Sequence, residues 1–553
     1  MRNTPLAPRI VWSVLWLIAS CLAGAHARAS DARIDAVFLA QTHVMQPDQP
    51  YFKLTGNREA LLKVHVVSPT SSAAPEVVAR IRGGDKTETL VLKGPVTLPE
   101  ALPSAPGIVQ HRFEDSFTAM IPAALVRTGM HIEVRAGSSA WRSNIKVGAP
   151  TVVHMKMFDV HYFGRGEGDY PAGLLEELEA KWPVADLKIE RVRGLKFTEL
   201  VIPPREKLPA VRVEKPEDYK AKTGQRFDGE QAAALQWVRA LSLAGGNRDV
   251  AMCYVNVLGV HAGGQAGGFN GVGSVRVGIL HHELGHALGL PHVGEQKDYP
   301  YRGEMFGIPP PKVFNEVHVG PTWAFDLPSR TFIPPTVQRA VPRWPAGRFK
   351  ADPMQGGGDG DQEAPFRLRH FSDYNVHRMQ GFLERRVAVL RDGEYFKWDD
   401  ATGDYARKVD SDGVTYPIEQ DVPVISVMAA MTMADADVNM VYPPIGPYLG
   451  NRIRTFDPRV VADRQAARKV FLPKGGCDFT LRIVQGGKER YYLLAASAAD
   501  DKNPTVPRAL TTAAVNLRAD DGEVSLVELL HTPRADEVGL LVTASVLARW
   551  PRQ

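Results

Sequence analysis

Cysteine is scarce in this sequence, which contains only three in 553 residues. So few thiols exclude the disulfide-rich scaffolds that stabilise small extracellular domains. Cys253 and Cys477 lie far apart along the chain, and we expect two buried thiols in preference to a disulfide between them. Neither stands in a local motif of a cysteine nucleophile, so a cysteine-dependent enzyme is not expected.

A large charge of one sign is also lacking. The net charge is +4, and no basic run interleaved with aromatic residues stands out, so nucleic acid is not an expected partner. Hydrophobic residues make up 44% and charged residues 23% of the chain, which is an ordinary globular composition. The length is too great for a single core and predicts roughly three domains.

Long apolar runs are absent after residue 30, so no transmembrane segment is expected in the mature chain. The first residues carry Arg2 and Arg9, then the apolar run IVWSVLWLIASCLAGA, then the small-residue triplets AHA and ARA. This order predicts a signal peptide at 1–29 and a secreted, extracellular protein. The alternative is an outer-membrane lipoprotein, because IASC ends at Cys21 like a lipoprotein cleavage box and Cys21 would then carry a lipid anchor.

The remaining chain is predicted to be a multidomain α+β protein. Short strand-like runs separated by Gly, Pro, Ser and Asp predict a β-sandwich over 31–150. Alternating strand and helix patterns predict an α/β catalytic domain over 151–395. Mostly strand-like runs predict a β-rich accessory domain over 396–553.

The segment HAGGQAGGFNGVGSV is rich in glycine, but no Lys-Ser/Thr pair follows it, so we do not expect a phosphate-binding loop. We interpret this segment as an edge that extended substrate backbone can approach.

The segment HHELGHALGLPH, at 281–292, has the residue types and spacing of a metal site. His282 and His286 are four apart, so on a helix of ~3.6 residues per turn both imidazoles lie on one face. Gly289 permits a sharp turn that brings His292 back as a third ligand. Three protein nitrogens and one open position are typical of catalytic zinc, and the carboxylate of Glu283 can reach a water at that position.

A helix that happens to be rich in histidine is the simpler interpretation of the short His-Glu-x-x-His pattern. The glycine and the third histidine in register favour the metal site instead. A glutamate as third ligand, with Glu304 or Glu316 as candidates, is the remaining alternative. His281 is predicted to face away from the ligand pair and to have no ligand role.

The long motif is the metzincin signature, and metzincins place a methionine turn beneath the metal. Met354, in DPMQGGG, is the candidate for that methionine, and Met305, in GEMFG, is the second choice. DPMQGGG, FSDYNVHRMQGFLE, YFKWDDATGDY and the early LAQTHVMQP together resemble the ToxR-activated-lipoprotein family of secreted bacterial zinc metallopeptidases, the StcE type. The resemblance covers most of residues 35–410 and is weaker beyond them.

The resemblance implies a β-sandwich followed by a metzincin-like domain. It also implies a zinc endopeptidase that acts on mucin-like O-glycosylated proteins, so the expected partner is an extracellular glycoprotein substrate. Carried onto this chain, the ligands of one Zn²⁺ ion are His282, His286 and His292, the general base is Glu283, and the turn methionine is Met354.

Two positions depart from the pattern of such enzymes. Many metzincins carry a tyrosine two residues after the turn methionine, where this chain has Gly356, and StcE-type members carry one after the third histidine, where it has Val293. Tyr374 is therefore the candidate for a residue that helps to stabilise the transition state.

Two other functions remain open from the sequence. One is a broad-specificity secreted zinc protease, and the other is a glycan-binding adhesin with vestigial catalysis, although an adhesin has no need of Glu283. The sequence also contains aromatic residues that can either stack on sugars or belong to a core. It contains an acidic group that can bind calcium, although a solvated loop is the favoured interpretation of that group. These residues are Trp323, Phe325, Phe332 and Trp344, and Asp359, Asp361 and Glu363.

Overall fold

The structure is a computed structural model that describes 31–552, except for the short segments named at the end of this paragraph. The predicted signal peptide with Cys21, the departure at Gly356 and the acidic group at 359–363 therefore lie outside the described residues. The omitted segments are 71–72, 165–167, 228, 260–262, 313–315, 341–343, 356–365, 411, 472–476 and 496–501.

The amino-terminal part consists of two antiparallel four-stranded sheets, ordered β2-β1-β3-β6 and β5-β4-β7-β8. Alternate residues of β4 are buried, as expected for a strand with one face on a core. All of β3 is buried, because its second face is covered by a hydrophobic cluster that includes Phe325. The strands are β1 Arg33–Ala40, β2 Val44–Met45, β3 Ala60–Val67, β4 Val77–Gly83, β5 Lys86–Val91, β6 Phe117–Ile121, β7 His131–Ala136 and β8 Ser139–Asn144.

The middle of the chain forms a five-stranded sheet in the order β10-β9-β13-β15-β14. The first four of these strands are parallel, and β14 lies antiparallel at the edge. The helices are α1 Leu174–Lys181, α2 Pro216–Thr223, α3 Glu230–Ala244, α4 Val277–Ala287 and α5 Asp373–Arg386. The strands are β9 Val152–Tyr162, β10 Asp186–Phe197, β11 Leu200–Ile202, β12 Val211–Val213, β13 Ala251–Val257, β14 Gln265–Gly267 and β15 Asn270–Ser274.

Helices cover both faces of this sheet. On one face, Trp237 and Val238 of α3 pack on Phe158 and Val255. On the other face, α1, α4 and α5 share a second core that includes Leu284 of α4. A buried parallel sheet needs such cover on both sides, so this part has the layered α/β arrangement expected of a catalytic domain.

The segment after α4 has little regular structure beyond one hairpin, β16 Ala324–Asp326 with β17 Thr331–Ile333. This hairpin packs on the amino-terminal sheets, where the amide of Phe325 donates to the Thr42 carbonyl at 2.8 Å. The insertion therefore ties the amino-terminal sheets to the part of the chain that contains α4.

The carboxyl-terminal part is also mostly β, with sheets ordered β18-β19-β20, β22-β21-β23 with β26 on β21, and β25-β24-β27-β28. The last two sheets enclose a core that includes Val427 and Leu481, while Met428 and Tyr442 join the core beneath α3. The elements are β18 Ala388–Arg391, β19 Glu394–Asp399, β20 Asp404–Lys408, β21 Glu419–Met431, β22 Met440–Val441, β23 Ile445–Arg452, α6 Val461–Phe471, β24 Phe479–Gln485, β25 Lys488–Leu494, β26 Thr511–Arg518, β27 Val524–His531, α7 Ala535–Val538 and β28 Ser545–Trp550.

The chain is thus mostly β, with several sheets and seven helices among the described residues. The metzincin-like character of the middle part and the three domain boundaries stay predictions.

Cys253 and Cys477 are buried and free, which confirms the two expected thiols. Within the described part of the chain, no helix combines the length and apolar character needed to cross a bilayer.

Candidate metal centre

The helix that carries the motif, α4, is held in place by its apolar side. Leu280, Leu284 and Ala287 are fully buried in the core shared with α1 and α5. Beyond Leu288 the chain turns at Gly289, whose φ of +83° lies in the left-handed region that favours glycine. A side chain there would also meet the ring of Phe382, at 2.6 Å from the Cβ position. Gly289 therefore serves both the turn and the packing on α5.

This turn brings the three histidines of the motif together. The Nε2 atom of His292 lies 3.2 Å from Nε2 of His282 and 3.2 Å from Nε2 of His286. Ligand atoms of the three residues lie within 4.8 Å of one another, and among the described residues they are the one such group. The group includes His292 and neither Glu304 nor Glu316, so the geometry favours a third histidine over a third glutamate.

Each histidine is anchored through its other ring nitrogen. Nδ1 of His282 lies 2.9 Å from the Pro353 carbonyl, and Nδ1 of His286 lies 2.6 Å from the Leu290 carbonyl. Nδ1 of His292 lies 3.3 Å from a carboxylate oxygen of Glu295. A carbonyl accepts only from the Nδ1–H tautomer, which leaves the lone pair on Nε2. The three Nε2 lone pairs thus converge, and this donor set fits a metal ion such as zinc.

Electrostatics keep the two helix histidines in the neutral form that a metal needs. Burial, with a smaller contribution from the nearby imidazoles, lowers the pKa of His282 to about 4. Burial also lowers the pKa of His286.

His281 is also buried, but it is not part of the group of three convergent histidines. Its Nε2 atom lies 2.8 Å from the Arg369 carbonyl oxygen. Its position agrees with the expectation that it faces away from the ligands.

Glu283 is buried next to the histidines, with 5% of its surface exposed. Burial raises the pKa of its carboxyl group to about 7. Gly264, just before the edge strand β14, lies directly against it. A Cβ atom at Gly264 would stand 2.3 Å from Cγ of Glu283 and 2.5 Å from the Val272 carbonyl oxygen. The carboxylate therefore lies between α4 and the edge of the sheet, in a space that only a glycine leaves open.

Replacing Gly264 by Ala should displace Glu283 and lower kcat by roughly 100-fold, the cost of misplacing a catalytic group by about 1 Å. Metal content should not change, because the atoms nearest to a Cβ atom at Gly264 belong to Glu283 and Val272 and to none of the three histidines. Gly263→Ala is the matched control, since a Cβ atom at Gly263 meets nothing within 4 Å. Steady-state kinetics and metal analysis of both variants check the prediction. Equal rates for the two variants would contradict it.

Met354 lies beneath α4 in a short 3₁₀ turn, Pro353–Gln355, and is fully buried. A Cβ atom at Gly285 would stand 2.3 Å from the Met354 sulfur, so the methionine packs directly on the helix between the two ligand positions. The Met354 carbonyl accepts from the amide of Val293, immediately after the third histidine, at 3.1 Å. Met305 lies in a separate turn closed by its bond to Ile308. The geometry therefore favours Met354 over Met305 as the turn methionine.

Tyr374 stands in the first turn of α5. Its hydroxyl donates to the Asp298 carboxylate at 2.8 Å and accepts from Arg378 at 2.9 Å. Its ring packs edge-on against Tyr51 and Tyr299. The hydroxyl is thus engaged by an ion-pair network, and its role as a helper of the transition state stays a prediction.

Of the two interpretations of the insertion aromatics, sugar stacking and core packing, the structure favours core packing for two residues. Phe325 is fully buried and Trp344 is 8% exposed, so neither offers a ring face to a glycan. Trp323 and Phe332 are half-buried and pack against the cluster that contains Phe325. Phe325, Trp323 and Phe332 thus attach the insertion to the amino-terminal sheet, whereas Trp344 packs with Val337 and Ala351.

Sequence reasoning missed three residues that shape the site, which are Gly264, Glu295 and Asp352. The Asp-Pro pair before Met354 was a signal for Asp352, because aspartate commonly accepts from amides two residues further on. Gly264 carried no distinguishing signal within a run of glycines. Glu295 lies three residues after His292, but the chain between them was not predicted to be helical.

Comparison with known proteins gives a family match over the region that contains this site. Residues 113–388 match the family model of Peptidase M66. Dictomallein of Burkholderia pseudomallei (strain 668) is 28% identical over 585 residues, covering 91% of this chain and 82% of that protein. Dictomallein of Burkholderia mallei (strain SAVP1) shows the same identity and coverage. Dictomallein-2 of Dictyostelium discoideum is 25% identical, covering 91% of this chain and 93% of that protein.

The matched region contains the three histidines, Glu283 and Met354, and M66 peptidases are metallopeptidases. The finer likeness to the ToxR-activated-lipoprotein family stays a prediction. The match of residues 113–388 to the Peptidase M66 model and the similarity to the relatives together support a peptidase of a metallopeptidase family.

Proposed function

We propose that this protein is a zinc-dependent endopeptidase in which His282, His286 and His292 hold one zinc ion and Glu283 is the general base. One observation carries the proposal. Three anchored imidazoles direct Nε2 at a common point, and a buried carboxylate follows the first of them on the same helix. Three protein ligands leave one coordination position open, as hydrolysis requires.

Glu283 performs the proton transfers in this mechanism. Its carboxylate accepts a proton from the attacking water and then delivers it to the amine that leaves. A pKa of about 7, raised by burial, suits a group that must both take up and release a proton near neutral pH. When zinc is bound, it supplies Lewis-acid chemistry that activates water and polarises the scissile carbonyl.

The peptide substrate approaches along β14. This strand pairs with β15 on one side and is the last strand of the sheet, so its other backbone edge is available to an extended chain. Gly264 lies at the start of this edge and contacts Glu283. A chain added to the edge would therefore lie next to the general base, where small residues leave room for a bulky, branched substrate.

The substrate class that we propose is a mucin-like O-glycosylated protein outside the cell. The support is the resemblance of DPMQGGG and FSDYNVHRMQGFLE to the StcE-type family. A densely glycosylated peptide is stiff and extended, which suits pairing with an open strand edge. Export through the signal peptide at 1–29 would place the enzyme with such substrates, either secreted or held at the outer membrane by a lipid on Cys21.

Digestion of matched substrates tests this proposal. A mucin-domain protein and the same protein after enzymatic removal of its O-glycans are incubated with the enzyme, and cleavage sites are mapped by mass spectrometry. We expect cleavage of the glycosylated form and much weaker cleavage of the stripped form. Equal cleavage of unglycosylated casein and intact mucin would instead identify a broad-specificity protease. Binding of mucin without any cleavage would identify an adhesin.

A further inference from the structure

Asp352 is a buried carboxylate with no catalytic assignment, two residues before the turn methionine. It has no exposed surface. One oxygen accepts from the amide of Met354 at 2.8 Å. The other accepts from the amide of Ser372 at 2.8 Å and from the side-chain amide of Asn375 at 3.0 Å. Asp352 thus links the methionine turn to the first turn of α5.

The peptide group between Pro353 and Met354 connects this carboxylate to a metal ligand. Its carbonyl, on Pro353, accepts from Nδ1–H of His282 at 2.9 Å. Its amide, on Met354, donates to Asp352. The C=O and N–H of a trans peptide point in opposite directions, so one planar group stands between carboxylate and imidazole. The result is a continuous chain of hydrogen bonds from Asp352 to His282.

Asp352 forms no ion pair within the described part of the chain, and its hydrogen-bond donors are all neutral: the three amides and the hydroxyl group of Ser372. An uncompensated buried charge is costly, and burial accordingly raises the pKa of Asp352. A divalent cation held by His282 would offset this cost. In return, a carboxylate bound to the amide polarises the peptide and makes its carbonyl a stronger acceptor for His282.

We propose that Asp352 is a positioning residue of the metal centre, which orients His282 and strengthens its hold on zinc through the Pro353–Met354 peptide. The inference rests on the proposed zinc site. Carboxylates commonly orient zinc-bound histidines by direct contact. Here the carboxylate acts through one peptide group of the methionine turn, so the same turn supports α4 by packing and His282 by charge.

The variant Asp352→Asn tests the inference, because it keeps the shape and removes the charge. Competition with a chromogenic chelator should show zinc bound about 10- to 100-fold more weakly than by the wild-type protein. Asn375→Ala is the matched control, since it removes a donor to the other oxygen of the same carboxylate. It should leave zinc affinity within about threefold, because it does not touch the peptide that leads to His282.

The free energy of unfolding, measured for the wild-type protein and Asp352→Asn with and without zinc, distinguishes a positioning role of Asp352 from a purely structural one. If Asp352 acts through its charge, Asp352→Asn should lower the stability of the zinc-loaded protein more than that of the metal-free protein. The difference must match the measured loss of affinity, because the two measurements form one thermodynamic cycle. A purely structural residue would lower both stabilities equally and leave zinc affinity unchanged.

The double variant Asp352→Asn/Asn375→Asp keeps the test decisive if the single variant does not fold. It keeps one carboxylate and one side-chain amide in contact but exchanges their positions, so the charge moves to residue 375 in the first turn of α5. A negative charge near the amino terminus of a helix is favourable. We expect this protein to fold and to bind zinc as weakly as Asp352→Asn. Wild-type zinc affinity in the double variant, or equal losses in Asp352→Asn and Asn375→Ala, would overturn the inference. Failure of the wild-type protein to bind zinc would refute the proposed function instead.

Discussion

Zinc content should fall from about one ion per chain to a small fraction of that when His282, His286 or His292 is replaced by Ala, and peptide cleavage should be lost with it. The three Nε2 atoms converge on one point, so each substitution leaves two protein ligands where catalytic zinc sites have three. Elemental analysis of the purified variants measures the metal. Removal of zinc from the wild-type protein by a chelator should abolish cleavage, and added zinc should restore it.

His281→Asn is the matched control for these variants, because His281 precedes the first ligand and its ring contacts the Arg369 carbonyl outside the group. This variant should keep its zinc. Full zinc in His292→Ala would contradict the three-histidine site and would favour Glu304 or Glu316 as the third ligand. Full zinc in all three alanine variants would place the metal elsewhere in the protein.

Cleavage by Glu283→Gln should be about 10²- to 10⁴-fold slower than by the wild-type enzyme, with zinc content unchanged. Glutamine has nearly the shape of glutamate but cannot accept a proton from water, so the variant isolates proton transfer from geometry. If the proposed substrate is correct, the inactive protein should still bind mucin, because the substitution does not change the proposed binding edge on β14. Turnover measurements, elemental analysis and a mucin pull-down check these three outcomes.

Glu304→Gln is the control that removes a carboxylate outside the group of three histidines. Glu304 is exposed, and its carboxylate accepts from the amide of Gly307 in a local turn. This substitution should leave both rate and zinc content near the wild-type values. A fully active Glu283→Gln enzyme would mean that another residue is the base. Loss of zinc from it would mean that Glu283 holds the metal or fixes the ligand geometry.

The candidate ligand set could be predicted because it depends on local geometry. His282 and His286 are one helical turn apart, and Gly289 supplies the left-handed residue that returns the chain to His292. Only eleven residues are involved, so the helical period and one turn are enough to bring the ligands together. The buried thiols were predictable for a similar reason, because spacing and the lack of a local motif argued against both a disulfide and a nucleophile.

Longer-range contacts could not be predicted in this way. Met354 was assigned by resemblance, and its packing on Gly285 depends on contact between segments about seventy residues apart. For the same reason, the sequence left open whether the aromatic residues of the insertion stack on sugars or belong to a core. Phe325 and Trp344 occur among prolines in a region without a regular pattern. Phe325 is buried against the amino-terminal strands, and Trp344 is buried in a small cluster with Val337 and Ala351.

The sequence by itself determined the composition class, the helix of the histidine motif, the order of the ligands and the identity of the candidate base, since these follow from residue type and from spacings within about one dozen positions. Tertiary structure alone decided that Gly264 of the sheet edge borders Glu283, that β14 is the edge strand, and that Asp352 reaches His282 through a peptide group. The physical reason is that burial and hydrogen bonding between distant segments depend on how sheets and helices pack, and one-dimensional periodicity carries no information about which segment supplies the neighbour.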